Sequence, residues 1–233
     1  VPADDYSFDP IGYITLIAIN NGIPNLPSTA NQFIDFTGLD TTSYDPAIHV
    51  FGNNGNQLPS EDLEPESVTF NPSSTKAYVT LQENNAVAIV DVLSGTLDTV
   101  VGLGYKDFST IGLDASDTRP DINIKSYPHL YGLYQPDGIA SYNASSQTYF
   151  VTANEGAPRN YSGYSEVVHT TDFVFNAADF PNISTIYHDS TLGRLELTDR
   201  LGNFDNDVFQ DSLFCFGARS FSIWDESGQQ IWD

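Results

Sequence analysis

Short runs rich in Val, Ile, Tyr and Thr, separated by turn residues, dominate the pattern of this chain. Within residues 66–101 the runs cover 66–70, 76–81, 86–92 and 96–101, and clusters of Asn, Ser, Pro and Gly separate them. Apolar runs of this length and composition, bounded by turn residues, are typical of β-strands. The pattern therefore predicts an antiparallel meander of four strands.

The same order of residues occurs a second time. Residues 65–83 carry Pro-Glu-Ser-Val, then Tyr-Val-Thr and Glu, and residues 136–155 carry Pro-Asp-Gly-Ile, then Phe-Val-Thr and Glu. The third run of the first copy, 86–91, follows at once, whereas its counterpart at 220–225 follows an insertion at about 156–213. Repetition of a small sheet is typical of β-propeller blades, because one such sheet must stack on its neighbours.

We therefore expect an all-β fold: a partial β-propeller of two to three blades with a long loop insertion, in preference to a β-sandwich or a β-solenoid. A closed propeller needs about four blades or more, so we expect an internal part of a longer protein. The expected divisions are the end of a preceding blade with a connection, a blade, an acidic connecting loop, and a blade with the insertion at about 156–213. They cover residues 1–60, 61–105, 106–134 and 135–233, respectively.

The charge of the chain limits its partners. Eight basic and 31 acidic residues give a net charge of −23, which argues against nucleic acids and anionic membranes and favours cations. No apolar run is long enough to span a membrane. The single cysteine, Cys215, lies in an apolar run, so we expect a buried and unreactive thiol.

Three sequons for N-glycosylation occur, at Asn143, Asn160 and Asn182. Each lies in a predicted turn or in the insertion, where a bulky glycan fits. We therefore expect a glycoprotein.

Several blocks of the sequence resemble the choice-of-anchor I family, which includes secreted and cell-surface proteins. The blocks occur in order along the chain, at residues 62–66, 77–86, 112–117, 134–137, 152–156 and 216–225. The resemblance implies a secreted or surface-anchored β-propeller. Some members carry phosphatase-like or phytase-like labels, so the resemblance also keeps an enzyme as an alternative.

Two acidic clusters are candidate calcium sites. Asp205, Asp207 and Asp211 stand where similar family members have a denser Asp run that resembles a calcium loop. An EF-hand is excluded, because Gln210 occupies the glycine position and Phe216 the position of the bidentate glutamate.

The second candidate set is Asp114, Asp117 and Glu155, in which the carboxylates of a loop and of a strand end meet at one edge. A solvated acidic turn is the alternative at both places. Asp91 and Asp225 precede Ser-Gly turns, and we expect them to accept hydrogen bonds from turn amides.

These features predict a secreted or cell-surface, calcium-associated glycoprotein with a structural, adhesion or matrix role. Its expected partners are other protein chains or matrix components. A calcium-dependent phosphoesterase and a carbohydrate-binding propeller are the alternatives, the latter through Trp224, Trp232 and the Tyr-rich residues 127–142. No nucleophile motif and no zinc-type histidine spacing occurs, so we expect no hydrolytic machinery in this chain.

Overall fold

The computed structural model describes residues 9–20, 23–24, 31–51, 58–118 and 120–233. These residues form an all-β structure of short strands. The strands are β1 (Tyr13–Leu16), β2 (Ile19–Asn20), β3 (Ile23–Pro24), β4 (Gln32–Asp35), β5 (Val68–Phe70), β6 (Lys76–Leu81), β7 (Ala86–Asp91), β8 (Thr96–Gly102), β9 (Tyr105–Asp107), β10 (Leu130–Leu133), β11 (Ile139–Ala144), β12 (Gln147–Asn154), β13 (Asn160–Tyr161), β14 (Tyr164–Ser165), β15 (Val167–Val168), β16 (Leu197–Thr198), β17 (Leu213–Cys215), β18 (Ser220–Asp225) and β19 (Gln230–Trp232).

The helices of these residues are each a single turn. Two are 3₁₀-helices, at Thr37–Leu39 and Thr170–Asp172, and two are α-helical, α1 (Pro59–Asp62) and α2 (Ile183–Ile186). Within the part of the chain that the structure describes, no helix is long and apolar enough to cross a membrane.

The two predicted meanders are present. Sheet A is antiparallel with the strand order β5-β6-β7-β8, and sheet B is antiparallel with the order β11-β12-β18-β19. In sheet B, Tyr149 pairs with Asp225 and Asn154 pairs with Ser220. This register confirms that the run at residues 220–225 pairs with the second copy of the repeat across the insertion.

Sheet A is apolar on both faces because it is packed between two other layers. One face contacts the N-terminal hairpin of β1 and β4 through Val79 and Leu81, which cluster with Phe36. The other face contacts sheet B, where Tyr78 packs near Trp224.

The first strands of the two sheets adjoin, and the Ser141 amide donates a hydrogen bond to Thr69 Oγ1 at 3.2 Å. The sheets of the described residues do not close into a ring, so the all-β fold is confirmed and the partial β-propeller stays a prediction.

The second strand of sheet B is displaced by one residue from the position that the sequence repeat predicts. Ile89 pairs with Tyr78 in sheet A, whereas its counterpart Ile223 pairs with Val151 and not with Phe150. Side chains alternate between the faces of a strand, so this displacement moves Phe150 to the opposite face. The rings of Tyr78 and Phe150 therefore face each other between the sheets, with centroids 4.8 Å apart.

The displacement arises in the first hairpin of each sheet. In sheet A, Phe70 pairs with Ala77 across a long turn, whereas in sheet B Ala144 pairs with Gln147 across a turn of residues 145–146. Both residues of that tight turn have positive φ, 51° and 65°, as a type I′ turn requires. The change in turn geometry changes the register.

The insertion is a folded layer, contrary to the expected loop. It contains β13 to β16, the start of β17, α2 and the second 3₁₀-helix, and its sheet has the order β15-β16-β17-β10-β9. The last two strands overlap the predicted connecting loop of residues 106–134, which is therefore not wholly a loop either. Leu130 pairs with Leu213 in parallel. Strands as short as β15 and β16 leave no alternating pattern in the sequence, and they depend on a core that includes Phe175, Phe180 and Leu192.

The expected burial of Cys215 and the expected turn contacts of Asp91 and Asp225 are also confirmed. Cys215 is a buried free cysteine, and burial raises the pKa of its thiol to about 12. Asp91 Oδ1 accepts the Ser94 amide at 2.8 Å, and Asp225 Oδ1 accepts the Ser227 amide at 2.9 Å. Both carboxylates therefore stabilise turns by accepting hydrogen bonds from turn amides.

Candidate functional site

A group of buried charged side chains joins sheet A to the insertion. Arg159 and Asp62 are both fully buried, and Arg159 Nη2 lies 3.1 Å from Asp62 Oδ2. Asn84 Nδ2 donates to the same carboxylate oxygen at 2.7 Å, and the Arg159 guanidinium lies 4.4 Å from the Phe51 ring centroid. A buried charge is tolerated only when it is paired and hydrogen-bonded, so these contacts fix the insertion against the end of sheet A.

A second buried pair lies beside the first. His49 Nε2 is 3.2 Å from Glu166 Oε2, to which Thr198 Oγ1 donates at 2.6 Å. The Arg159 amide donates to Glu166 Oε1 at 2.8 Å. Burial by itself would raise the pKa of Glu166, but the hydrogen bonds from His49, Thr198 and Arg159 outweigh it and hold that pKa below its ordinary value. Both oxygens of the ionised carboxylate are engaged, which indicates a positioning role.

Three further carboxyl groups surround this network. Glu83 follows β6, and Glu64 and Glu66 lead into β5. Burial raises the pKa of Glu83 to about 7; the Arg159 charge opposes this rise, and the Glu64, Glu66 and Asp62 charges add to it. Burial also raises the pKa values of Glu64 and Glu66.

The Glu83 carboxyl can therefore exchange a proton near neutral pH. Its Oε2 atom is shielded from solvent and accepts no hydrogen bond from the described residues. Carboxyl groups with strongly raised pKa values occur at functional sites and also in structural networks. Glu83 and the charged groups around it, Asp62, Glu64, Glu66 and Arg159, are therefore a candidate for a pH-sensitive junction between sheet A and the insertion.

Sequence reasoning did not find this cluster, although Asp62, Glu64 and Glu66 alternate along the chain. The missing partner was Arg159, which is 97 residues from Asp62. No local pattern connects residues at that separation.

Asp114 and Asp117, from the predicted calcium set, line a cavity of about 540 Å³ between the connection and the insertion. The Asp117 carboxylate is paired with Arg194 through contacts of 2.9 and 3.0 Å. Glu155 is exposed and is not part of the cavity wall. The structure therefore brings two of these three residues to one cavity.

The second predicted calcium set forms a tight turn. Asp205 Oδ1 accepts the Asp207 amide at 3.1 Å, Asp207 Oδ1 accepts the Phe209 amide, and Asp211 Oδ2 accepts the Phe204 amide at 2.7 Å. Among the described residues, no three His, Cys, Asp or Glu side chains are grouped as metal ligands would be. In this arrangement the acidic residues do not form a ligand sphere, so calcium at either set stays a prediction.

All three sequon asparagines are exposed. Asn143 lies near the end of β11, Asn160 lies in β13, and Asn182 directly precedes α2. Their exposure leaves room for a glycan at each, and glycosylation itself stays a prediction.

The structure is that of an all-β domain, in which two four-stranded meanders stack and a folded insertion packs beside them. The sequence profile of the choice-of-anchor I domain matches residues 1–233. The chain therefore belongs to the choice-of-anchor I domain family, which confirms the resemblance in the sequence.

One curated relative is similar to much of the chain. The Mesenchyme-specific cell surface glycoprotein of Strongylocentrotus purpuratus is 28% identical over 201 residues, which cover 77% of this chain and 25% of the relative. The chain thus spans about a quarter of the length of that protein. No solved structure matches the chain significantly.

Proposed function

We propose that the chain is part of a secreted or cell-surface glycoprotein with a structural, adhesion or matrix role. The observation that carries this proposal is the exposure of all three sequon asparagines, Asn143, Asn160 and Asn182. The similarity to a sea-urchin protein whose name describes a cell surface glycoprotein supports the same location.

The test is expression of the chain, with a secretory leader, in insect or mammalian cells. Mass spectrometry should find glycans on the sequon peptides, and treatment with peptide N-glycosidase should lower the mass of the secreted protein. Secretion of a folded protein with three unmodified sequons would refute the glycoprotein proposal.

Exposed aromatic side chains support association with other protein chains. On sheet B, Phe221 and Trp232 are 53% and 51% exposed, and their ring centroids lie 4.9 Å apart. Exposed aromatic pairs of this kind are enriched at protein interfaces. Contact with matrix components through this face would give the chain its structural role.

Replacing both rings tests that role. The double variant Phe221→Ser/Trp232→Ser should lose binding of the secreted protein to an extracellular-matrix preparation. Leu93→Ser is the matched control, because Leu93 is 77% exposed in the turn between β7 and β8. Equal binding by the wild type, the double variant and the Leu93→Ser control would show that this face does not bind the matrix.

The proposal includes calcium as a bound ion. Asp205, Asp207 and Asp211 would hold one ion after their turn rearranges, and Asp114, Asp117 and Glu155 are the second proposed set. Oxygen ligands at this density suit calcium, and the ion would offset the repulsion between the carboxylates. Calorimetric titration and melting in excess chelator test this part, and the absence of heat and of any melting shift would refute it.

A calcium-dependent phosphoesterase is the second candidate, and the cavity of about 540 Å³ favours it. Arg219 lines the cavity together with Asp114, which provides a cationic group for a phosphate beside a carboxylate. Phosphomonoesters and phytate should then be hydrolysed in the presence of calcium. Arg219→Gln should abolish turnover, and failure of the unmodified protein to turn over either substrate would remove this candidate.

A carbohydrate-binding role is the third candidate, and the exposed Trp232 and Phe221 rings favour it. Trp224 does not contribute to it, because its side chain is 1% exposed and packs against Tyr134 in the core. Loss of oligosaccharide binding in Trp232→Ser is the expected result, and unchanged binding would contradict a site at these rings.

A further inference from the structure

The cavity of about 540 Å³ lies where the connection between the sheets meets the insertion and the segment before β18. Its size is within the range of about 300–1,000 Å³ that proteins use for small ligands. The residues of its wall include Asp114, Glu196, Phe216 and Arg219. Asp114 and Arg219 also line an adjacent cavity of about 240 Å³, so these two residues lie at the boundary between the cavities.

The sequence repeat shows that Arg219 is unusual for its position. Arg219 directly precedes β18, as Asn85 directly precedes β7, and both residues have a left-handed backbone, with φ of 50° and 54°. Among residues other than glycine, asparagine is enriched in this conformation and arginine is not. The first copy of the repeat therefore has a residue that suits the backbone, and the second copy has one that does not.

The side chains of the two residues also make different contacts. Asn85 is buried, its Nδ2 donates to the Gly104 carbonyl oxygen at 2.9 Å, and its Oδ1 accepts the Gln135 amide at 3.0 Å. Arg219 is exposed, and its side chain has neither a hydrogen bond nor an ion pair with the described residues. A residue that is held in a strained conformation without such a structural contact is a candidate for a functional role.

The Arg219 charge acts on the insertion. Burial raises the pKa of the Cys215 thiol, and the positive charge of Arg219 opposes that rise. Cys215 lies in β17, the central strand of the insertion sheet. This interaction places the guanidinium near the insertion, whose residues Leu195 and Glu196 line the cavity.

The loop before β18 holds Phe216 and Arg219 in place. Gly217 has φ 76°, and a Cβ atom there would lie 2.3 Å from the Glu155 carbonyl oxygen. The loop therefore packs directly on the backbone at the end of β12. The Phe216 ring is half-buried and contacts no other aromatic ring in the described part of the chain, so it is available to a ligand in the cavity.

From this arrangement we infer that the cavity binds an acidic sugar, a hexuronate, whose carboxylate pairs with Arg219. The guanidinium fork matches the two oxygens of a carboxylate. The carboxylates of Asp114 and Glu196 accept hydrogen bonds from the sugar hydroxyls, and the apolar face of the pyranose ring packs on Phe216. This site goes beyond the structural role proposed above and uses none of the residues of the Phe221–Trp232 face.

The charges of the wall favour a ligand with one negative charge and several hydroxyl groups. Asp117 is neutralised by Arg194, which contacts it at 2.9 and 3.0 Å, whereas Asp114 and Glu196 form no ion pair with the described residues. A phosphate monoester carries nearly two negative charges at neutral pH and offers mainly acceptor oxygens, so these carboxylates repel it. A hexuronate carries one charge, and its hydroxyls donate to carboxylates.

The test is a titration of the secreted chain, in calcium-free buffer, with the methyl glycosides of glucuronic and galacturonic acid. Methyl glucoside and methyl galactoside are the matched neutral ligands, and calorimetry or NMR of the sugar measures the affinity. The wild type should bind a uronide about tenfold more tightly than the neutral sugar, because a charge-assisted pair is added. Arg219→Gln should bind both alike, and Phe216→Leu should weaken both.

Arg219→Asn separates a ligand role from a structural one. Asparagine suits the left-handed backbone, so this variant should melt at or above the temperature of the wild type while it loses the preference for the uronide. Lys76→Gln, which removes a positive charge that pairs with Asp98 in sheet A, is the control and should bind like the wild type.

Four results would overturn the inference. They are the absence of uronide binding at millimolar concentration, equal uronide affinity in Arg219→Gln and wild type, a clear fall in the melting temperature of Arg219→Asn, and tighter binding of glucose phosphate than of the uronide. The last result would assign the cavity to the phosphoesterase candidate. Each of the four leaves the structural role intact, because that role rests on other residues.

Discussion

Replacing Glu83 by Gln tests the carboxyl cluster at the junction of sheet A and the insertion. Glutamine keeps the size of the side chain and removes its titration. In the wild-type protein, burial raises the pKa of Glu83 to about 7 from its ordinary value of 4.5, and nearby carboxylates add to the rise. Between pH 4.5 and about 7, the Glu83 carboxyl of the folded state therefore holds a proton that the unfolded state has already released.

The sign of the effect follows from proton binding. For a carboxyl group whose pKa is higher in the folded state, the free energy of unfolding falls as the pH rises between the two pKa values. The pKa difference of about 2.5 corresponds to an upper limit of about 3 kcal/mol, since each unit is worth about 1.4 kcal/mol. Because Glu83 is partly exposed, the measured loss should be smaller.

Glu83→Gln should thus remove most of this pH dependence. The free energy of unfolding in urea at pH 4.5, 6 and 8 measures this dependence. Unfolding is monitored by the fluorescence of Trp224 and Trp232. The variant should be more stable than wild type at pH 8 and should lose that advantage at pH 4.5. Glu226→Gln, at an exposed carboxylate outside the proposed calcium sets, is the control and should follow the wild type. A variant with the same pH profile as wild type would refute the role assigned to Glu83.

The remaining predictions concern buried groups. Arg159→Met should cost about 3–5 kcal/mol of unfolding free energy in urea, because it removes the guanidinium that pairs with the buried Asp62 carboxylate; a loss below about 1 kcal/mol would contradict the pairing. Tyr78→Phe should be neutral or stabilising by up to about 1 kcal/mol in the same assay, since the buried hydroxyl has no hydrogen-bond partner among the described residues; a clear destabilisation would reveal one. Cys215 should react with a thiol reagent only after unfolding, because burial disfavours its thiolate; rapid labelling of the folded protein would show that it is accessible.

The sequence by itself determined the local features of this protein. The short apolar runs of residues 66–101 predicted sheet A, and the repeat predicted the pairing of β12 with β18 across the insertion. The turn contacts of Asp91 and the burial of Cys215 were also predictable. The first depends on the adjacent Ser-Gly turn, and the second depends on the apolar residues that flank the cysteine.

The tertiary structure alone decided the register and the junction. The turn at residues 145–146 displaced β12 by one residue and so brought Phe150 against Tyr78. The insertion sheet has strands too short to leave a periodic pattern, so it forms only where partner strands are supplied. The Asp62–Arg159 pair and the raised pKa of Glu83 depend on burial and on charges from distant segments. These quantities exist only once the chain has folded, because in the extended chain the same groups are far apart and solvated by water.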